Sequence, residues 1–299
     1  MSERFLNIDA VRAGLAGAGY LADDAIATAV YLGQALGKPV LVEGPAGTGK
    51  TELAKSVAAM TGARLIRLQC YEGLDESKAL YEWNYRKQLL HIQARRVSDP
   101  ETGTAGAGGG DDVEAELFSE EFLLTRPLLE AIRATETVVL LIDEVDRLEV
   151  ETEALLLEVL SDYQVSIPEL GTVTATQVPL VFLTSNNTRE LSEALKRRCL
   201  YLPLDYPDVE RERAIVVAKV VGVSERLADQ VARVVRSLRA LDLHKPPSVS
   251  ETLDWARTLV LLSIEAVDIE QARETLPLLL KHRGDLAKAA KSLTASGID

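Results

Sequence analysis

The first chemical signal in the chain is a glycine-rich stretch that leads into a lysine and a threonine. Gly44, Gly49, Lys50 and Thr51 match the pattern G-x-x-x-x-G-K-[ST] in full. Glycines let backbone N–H groups turn towards phosphates, and the positive end of a following helix favours the same anion. Lys50 is expected to reach the β- and γ-phosphates, and Thr51 to offer its hydroxyl to Mg²⁺. The pattern predicts an Mg-ATP site formed by Gly44, Pro45, Ala46, Gly47, Thr48, Gly49, Lys50 and Thr51.

A pair of carboxylates, Asp143 and Glu144, follows the apolar run 138–142. Ligands bind at the carboxyl ends of strands in open α/β sheets, and buried carboxylates without a cation are costly. We therefore expect Asp143 to bind the metal together with Thr51, and Glu144 to polarise the water that attacks the γ-phosphate. The pair also precedes a helical pattern, so capping of that helix is the alternative role. The phosphate-binding loop (P-loop) at 44–51 disfavours this alternative.

The elements that must position these residues follow from the apolar pattern. Short apolar runs alternate with helical segments, which predicts an α/β fold with a parallel sheet. The strands are expected at 39–43, 65–69, 138–142, 180–184 and 200–204. Two short helices around Gly19 are expected before the first strand, and a low-complexity loop at 98–112. After residue 207 only helical patterns remain, at 210–220, 225–241, 250–264 and 269–280. We predict a nucleotide-binding domain with N-terminal helices and hairpin insertions at 1–206 and a small all-α lid domain at 207–299.

Composition narrows the partners. The chain has 33 basic and 46 acidic residues and a formal net charge of -13, which would repel nucleic acid. Its two cysteines, Cys70 and Cys199, are too few for a disulfide framework and fit small core positions. No basic-then-apolar leader opens the sequence and no apolar run approaches membrane-spanning length. A cytoplasmic protein that does not span a membrane is expected, without a zinc or iron site, because the three histidines are scattered.

Several segments resemble a known family. GPAGTGKT, LLIDEVDR and the apolar strand that ends in Thr184, Ser185 and Asn186 are similar to the AAA+ ATPase core of the MoxR group. RLIRLQCYEGLD, YEWNY, FSEEF, LSDYQVSIPELG and TSNNTRELSEALKRRCLYLPLDYP resemble the CoxD-type ATPases associated with molybdenum carbon monoxide dehydrogenase clusters. The resemblance implies a P-loop AAA+ core with a helical lid, a hexameric ring and a chaperone that remodels a client protein. The implied client is a molybdenum hydroxylase during cofactor maturation, and the implied adaptor has a von Willebrand factor A domain.

The resemblance also implies roles for single residues. Asn186 matches the sensor 1 position, at which an amide helps to hold the attacking water or the γ-phosphate. The neighbouring Asn187 allows this assignment to shift by one residue. Arg197 and Arg198 match the arginine finger that enters a neighbouring subunit's ATP site, and Arg198 aligns with the arginine directly before the strand.

The stretch 247–251 lacks the sensor 2 arginine of many MoxR proteins. Lys245 or a neighbouring subunit could substitute, or the lid could sense nucleotide without a cationic contact.

Two insertions resemble those of the same group. The segment 164–175 has alternating β-type residues around Gly171 and predicts a hairpin. A second hairpin is expected at 81–94, where Tyr81, Trp83 and Tyr85 either grip a client protein or pack as ordinary aromatics.

Two other classes of function are alternatives to a remodelling ATPase. A P-loop small-molecule kinase would need an acceptor pocket and a mobile lid, and the helical tail disfavours it. A DNA-acting AAA+ motor would need a basic face, which the acidic composition does not supply.

Overall fold

Two helices precede the first strand. The structure is a computed structural model that describes residues 5–98 and 116–296. Helices α1 (Ile8–Gly17) and α2 (Asp24–Leu36) begin after Asn7 and Asp23, whose side chains accept hydrogen bonds from backbone N–H groups of the first turns. The predicted pair of helices is confirmed, and residues 1–4 lie outside the described residues.

A parallel sheet of five strands forms the centre of the fold. Its strands are β1 (Val40–Glu43), β2 (Arg64–Gln69), β5 (Val138–Asp143), β8 (Leu180–Ser185) and β9 (Leu200–Pro203). Their order across the sheet is β2-β5-β8-β1-β9, so β2 is an edge strand. All pairings are parallel, which places the carboxyl ends of β1, β5 and β8 side by side. The predicted α/β class with a parallel sheet is confirmed.

Helices cover both faces of this sheet. Alternate residues of β5 point to opposite faces, so Val139 and Leu141 join one apolar cluster and Leu140 and Ile142 the other. Three further helices are α3 (Lys50–Thr61), α6 (Pro127–Arg133) and α7 (Val150–Asp162), and α8 (Glu193–Arg198) precedes β9. The first cluster includes residues of α1, α2 and α3; the second includes residues of α6 and α7. Burial on both faces explains why β5 is apolar from Val138 to Ile142.

The insertion after β2 differs from the predicted hairpin at 81–94. Helix α4 (Glu76–Ala79) leads to β3 (Tyr81–Trp83), which pairs with β4 (Leu123–Thr125), and α5 spans Tyr85–Ser98. The prediction was wrong because the segment after Asn84 contains Lys, Gln, Leu and Arg, which favour a helix, and has no glycine to turn the chain. Residues 99–112 of the predicted low-complexity loop lie outside the described residues, and Ser98 ends α5.

The second predicted hairpin is confirmed. Strands β6 (Gln164–Ile167) and β7 (Gly171–Thr174) pair antiparallel. Gly171 has a φ of 81°, a backbone conformation that glycine adopts without strain.

The C-terminal region is helical. Its helices are α9 (Val209–Lys219), α10 (Glu225–Arg239), α11 (Val249–Leu261), α12 (Ile269–Leu279) and α13 (Arg283–Ser296). They surround an apolar cluster of their own, in which Trp255 is fully buried. This separate core agrees with the expected lid, and the boundary between 206 and 207 stays a prediction. Among the described residues, no helix combines the length and apolar character needed to cross a membrane.

Candidate functional site

The P-loop follows β1 and lies at the carboxyl edge of the sheet. Gly47 and Gly49 have φ angles of 76° and 96°, which side-chain-bearing residues rarely adopt. A Cβ on Gly44 would lie 2.0 Å from the Leu204 carbonyl oxygen, so the loop also fits closely between neighbouring strands. Gly49 caps α3 without a side-chain hydrogen bond, which leaves the positive helix end to an anion.

Lys50 is held inside this loop. Only 6% of the residue is exposed, and its Nζ donates to the carbonyl oxygens of Gly44 and Pro45, both at 2.7 Å. Burial lowers the pKa of the Lys50 ammonium, while the carboxylates of Asp146 and Asp143 act in the opposite direction. Further negative charge, such as that of a phosphate, would therefore stabilise the charged ammonium of Lys50.

Asp143, the last residue of β5, receives hydrogen bonds from three strands or helices. Its Oδ1 accepts from Thr51 Oγ1 at 3.0 Å and from Thr184 Oγ1 at 2.5 Å. Its Oδ2 accepts from Arg67 Nη2 at 2.5 Å. A hydroxyl and a carboxylate beside a phosphate-binding loop are ligands that Mg²⁺ accepts, so Thr51 and Asp143 fit the expected metal.

Glu144 has an unusual backbone conformation. Its φ is 59°, in the left-handed region, and its N–H donates to Thr184 Oγ1 at 2.9 Å. Oε2 of Glu144 lies 3.1 Å from Gln69 Nε2 and 2.9 Å from Arg147 Nε. Such strain at a candidate catalytic residue is typical of functional sites. The two donors restrict the rotation of the carboxylate.

Sequence reasoning missed four residues that contact these carboxylates: Arg67, Gln69, Arg147 and Thr184. Arg67 and Gln69 lie two residues apart on β2 and therefore share a face of the strand. The polar residues in RLIRLQ, at the carboxyl end of a strand, were the available signal.

Asn186 directly follows β8 at the same edge of the sheet. The next residue, Asn187, has a φ of 57° and is exposed, as in a turn. This geometry favours Asn186 over Asn187 as the candidate sensor.

The loop after Asn186 is anchored by a buried carboxylate. Asp146 Oδ2 accepts from the Thr188 N–H at 3.0 Å and from Thr188 Oγ1 at 2.5 Å. Burial would raise the pKa of Asp146, but hydrogen bonds from Thr188 and from the Asn186 backbone outweigh it and lower that pKa. The turn that follows Asp143 and Glu144 is thereby hydrogen-bonded to the loop that follows the candidate sensor.

The two candidate finger arginines lie at the exposed end of α8. Arg198 donates to Ser161 Oγ at 2.5 Å and to the Ala194 carbonyl at 3.2 Å. Arg197 is exposed and has no partner among residues 5–98 and 116–296. Neither arginine contacts the P-loop, Asp143 or Glu144 of its own chain.

A cavity of about 340 Å³ lies beside the P-loop. Its lining includes Tyr20, Thr48 and Leu204 from the sheet side and Val249 and Leu253 from the helical region. Burial raises the pKa of Tyr20 to about 12, so its phenol stays neutral and can donate a hydrogen bond. A cavity of this size and mixed lining is suited to the nucleoside part of a nucleotide.

The start of α11 touches the P-loop directly. The Val249 N–H donates to the Gly47 carbonyl at 3.1 Å, and a Cβ on Gly47 would lie 2.2 Å from Ser248 Cβ. Lys245, one of the substitutes considered for sensor 2, has its ammonium 3.5 Å from Glu251 Oε1. The hydrogen bond from the lid to the P-loop itself is therefore made by backbone rather than by a cationic side chain.

A buried ion pair holds the lid helices together behind this contact. Glu212 of α9 pairs with Arg239 of α10, and both are almost fully buried. Thr252 Oγ1 donates to Glu212 at 2.8 Å, and Arg239 Nε donates to the Pro247 carbonyl at 2.8 Å. The Arg239 guanidinium also lies 4.4 Å from the ring centre of Tyr206, near the predicted domain boundary.

The aromatic residues of the insertion are not equivalent. Trp83 is buried and packs edge-on against Phe118 and Tyr81, with ring centres 5.2 and 6.3 Å apart. Tyr85 is 60% exposed. Ordinary packing thus accounts for Trp83, and Tyr85 stays a candidate for contact with a client.

Both cysteines are shielded. Cys70 is buried and Cys199 is partly buried, and burial raises the pKa of each thiol to about 12. Neither thiol has the reactivity of a nucleophile or a ready metal ligand.

The fold and this arrangement define a P-loop ATPase of the AAA+ class. Residues 39–199 match the AAA domain of the dynein-related subfamily, and the chain belongs to that family. The chain is 25% identical to an uncharacterized protein of Staphylococcus haemolyticus, over 79% of this chain and 82% of that protein. It is 27% identical to the gas vesicle ATPase GvpN of Ancylobacter aquaticus, over 79% of this chain and 64% of that protein. A RuvB mutant from Thermotoga maritima shares the fold at a TM-score of 0.50 and 17% identity, covering 92% of this chain and 71% of that chain.

Proposed function

We propose that this chain is an Mg²⁺-dependent ATPase that couples hydrolysis to the remodelling of a client protein. The observation that carries the ATPase proposal is the hydrogen bond of 3.0 Å between Thr51 Oγ1 and Asp143 Oδ1. It joins the P-loop to the end of β5 at the point where a metal ligand is needed. Membership of the AAA family supports nucleotide hydrolysis in general.

The residues divide the work of hydrolysis. Lys50 and the P-loop N–H groups bind the phosphates, and Thr51 with Asp143 would hold Mg²⁺. The bound ion would neutralise charge on the β- and γ-phosphates. Glu144 orients the attacking water and accepts its proton, and Asn186 offers an amide to the same water or the γ-phosphate. Gln69 and Arg147 both contact Oε2 of Glu144, so Oε1 is the oxygen that would accept this proton.

The test of this mechanism separates binding from hydrolysis. Glu144→Gln keeps the shape of the side chain and removes its basicity, so we expect near-normal ATP binding and at least about a hundredfold slower hydrolysis. Lys50→Ala is expected to weaken binding itself. Calorimetry with ATP and a phosphate-release assay measure the two quantities, and near-normal turnover by Glu144→Gln would remove that residue from the mechanism.

We propose further that the protein works as a ring, with a hexamer as the expected form, because AAA+ ATPases are usually oligomeric and because Arg198 is hydrogen-bonded to Ser161 and Ala194 rather than to its own nucleotide site. Subunits with Glu144→Gln and subunits with Arg198→Ala should each be inactive and should partly recover hydrolysis when mixed. The same mixture with Arg197→Ala is the matched control. If Arg198→Ala alone hydrolyses ATP normally, the arginine finger is Arg197 or is absent.

The client is proposed from the resemblance to CoxD-type ATPases. It is a molybdenum hydroxylase such as carbon monoxide dehydrogenase during cofactor maturation, reached through an adaptor with a von Willebrand factor A domain. The similarity to the gas vesicle ATPase GvpN supports the ATPase part of the proposal. The acidic composition supports a protein client over nucleic acid.

Exposed Tyr85 provides the test of client contact. We expect Tyr85→Ala to abolish stimulation of the ATPase by the immature hydroxylase while basal hydrolysis and melting temperature persist. Trp83→Ala is the contrasting variant, because loss of a buried aromatic costs about 3–5 kcal/mol of stability. Unchanged stimulation in Tyr85→Ala would remove this surface from client binding.

A further inference from the structure

The edge strand β2 contacts both carboxylates of the candidate catalytic pair. Arg67 Nη2 lies 2.5 Å from Asp143 Oδ2 and 2.5 Å from Gln69 Oε1, and Gln69 in turn donates to Glu144. The nucleotide site is thus connected through two side chains to a strand that carries no part of the P-loop.

The contact between Arg67 and Asp143 is asymmetric. The Arg67 side chain is 47% exposed, whereas that of Asp143 is only 4% exposed. Oδ1 of Asp143 is already engaged by two hydroxyl groups, from Thr51 and Thr184. In the part of the chain that the structure describes, Arg67 is the cation paired with Oδ2. Arg67 can move into solvent at low cost, but Asp143 cannot.

For electrostatic reasons, Arg67 and a divalent cation would compete for the carboxylate of Asp143. A buried carboxylate requires a nearby positive charge, and Lys50 donates to loop carbonyls rather than to Asp143. Arg67 supplies the cation that is hydrogen-bonded to Asp143. A divalent cation at the same carboxylate would supply it too, and two cations at one carboxylate repel each other.

We propose that Arg67 is a positioning residue that competes with the divalent cation for Asp143 and so sets the metal affinity of the nucleotide-bound protein. This inference rests on the proposed function, in which Asp143 is a metal ligand. The guanidinium holds the carboxylate in place before metal binds and withdraws towards solvent when metal enters. Because β2 continues into α4 and β3, a change at the insertion can alter metal affinity through Arg67.

The test measures metal binding and not turnover. Mn²⁺ is titrated into the ADP-bound full-length protein, and free Mn²⁺ is followed by its electron paramagnetic resonance signal. We expect Arg67→Gln to bind Mn²⁺ about fivefold more tightly, the scale of a partly exposed ion pair at this site. Affinity that is weaker, or within about twofold of the wild type, overturns the proposal.

Two variants control for charge and strand stability. Arg147→Gln removes a cation that contacts Glu144 but not Asp143, and Arg64→Gln removes one from the same strand that pairs with Glu130 and Glu136. Both should leave Mn²⁺ affinity within about twofold of the wild type. Equal tightening in all three variants overturns the proposal, because it would reflect net charge alone.

A second substitution keeps the test valid if Arg67→Gln folds poorly. Arg67→Lys keeps the charge but loses the planar fork, and we expect tightening that is smaller than in Arg67→Gln. Asp143→Asn separates this inference from the proposed function. If Asp143→Asn keeps wild-type Mn²⁺ affinity, the metal-ligand assignment itself fails; if it loses Mn²⁺ while Arg67→Gln is unchanged, only the competition fails.

Discussion

The two sides of the nucleotide cleft hold their parts in different ways. On the sheet side, contacts are made by side chains, as between Thr51 and Asp143. On the lid side, the contact with the P-loop itself is a backbone hydrogen bond from Val249 to Gly47, and the side-chain network around Glu212 lies inside the lid. At the P-loop, the sheet side therefore depends on residue identity, whereas the lid contact depends on how firmly the start of α11 is held from behind.

The largest expected effect comes from disrupting the buried ion pair on the lid side. Glu212→Gln leaves the buried Arg239 guanidinium without its counter-charge, which costs about 3–5 kcal/mol of unfolding free energy. Urea unfolding measures this cost, and ATP affinity should fall as well because the network holds Pro247 beside α11. Asp254→Asn is the control, since its pair with Arg257 is exposed and contributes less than about 1 kcal/mol. Equal costs for the two variants would show that the lid does not depend on this network.

The next effect breaks the sheet side without weakening the fold. Lys50→Met is expected to reduce ATP affinity about a hundredfold, because a preorganised cation at the phosphates is lost. Because burial lowers the pKa of Lys50, its charged form costs free energy in the folded protein, and the unfolding free energy of Lys50→Met without nucleotide should be unchanged or higher. Lys55→Met, on the exposed face of the same helix, serves as the control in calorimetry and urea unfolding. A stability loss in Lys50→Met as large as its loss of binding energy would contradict this division.

The difference between the two sides also decides what the sequence could predict. The P-loop and the pair Asp143 and Glu144 could be found because their residue types and spacing are required by chemistry. The five strands followed from short apolar runs. The Val249 contact could not be found, because any residue except proline offers the same N–H. Partners distant along the chain, such as Arg67 with Asp143, required the strand order, which the apolar pattern does not give.

A smaller effect sharpens the comparison at the sensor loop. Thr188→Val removes the hydroxyl that donates a hydrogen bond to Asp146, and we expect a loss of about 1–3 kcal/mol of stability and slower hydrolysis. Thr188→Ser keeps the hydroxyl and should behave like the wild type. An equal loss in both variants would point to packing of the Thr188 methyl group instead.

The same variant predicts a pH dependence. The folded state lowers the pKa of Asp146, so this contribution to stability is present above about pH 4 and is lost as pH falls through the folded-state pKa. The stability deficit of Thr188→Val should therefore be largest near neutral pH and shrink in acid. Urea unfolding at several pH values measures it, and a deficit that grows in acid would contradict the assignment.

The smallest effect isolates the backbone contact. Val249 is the first residue of α11, a position that accepts proline, so Val249→Pro removes one N–H while the helix is kept. We expect ATP affinity to change by up to about tenfold, the scale of one hydrogen bond. Val249→Ala retains the N–H and controls for loss of the side chain from the cavity. The backbone contact has no part in nucleotide binding if Val249→Pro and Val249→Ala have the same affinity.

The edge position of β2 has a mechanical consequence. The strand is attached to the sheet through one ladder, six residue pairs with β5 from Arg64 to Gln69, and its far end leads into the insertion. A pull on the insertion would load this single ladder. A slip of one residue, about 3.3 Å, would turn Arg67 and Gln69 to the opposite face of the sheet, so intermediate positions are not stable. Force on the insertion would therefore reach the ATPase site as a discrete step, in which the contact of Arg67 with Asp143 and that of Gln69 with Glu144 are kept together or lost together.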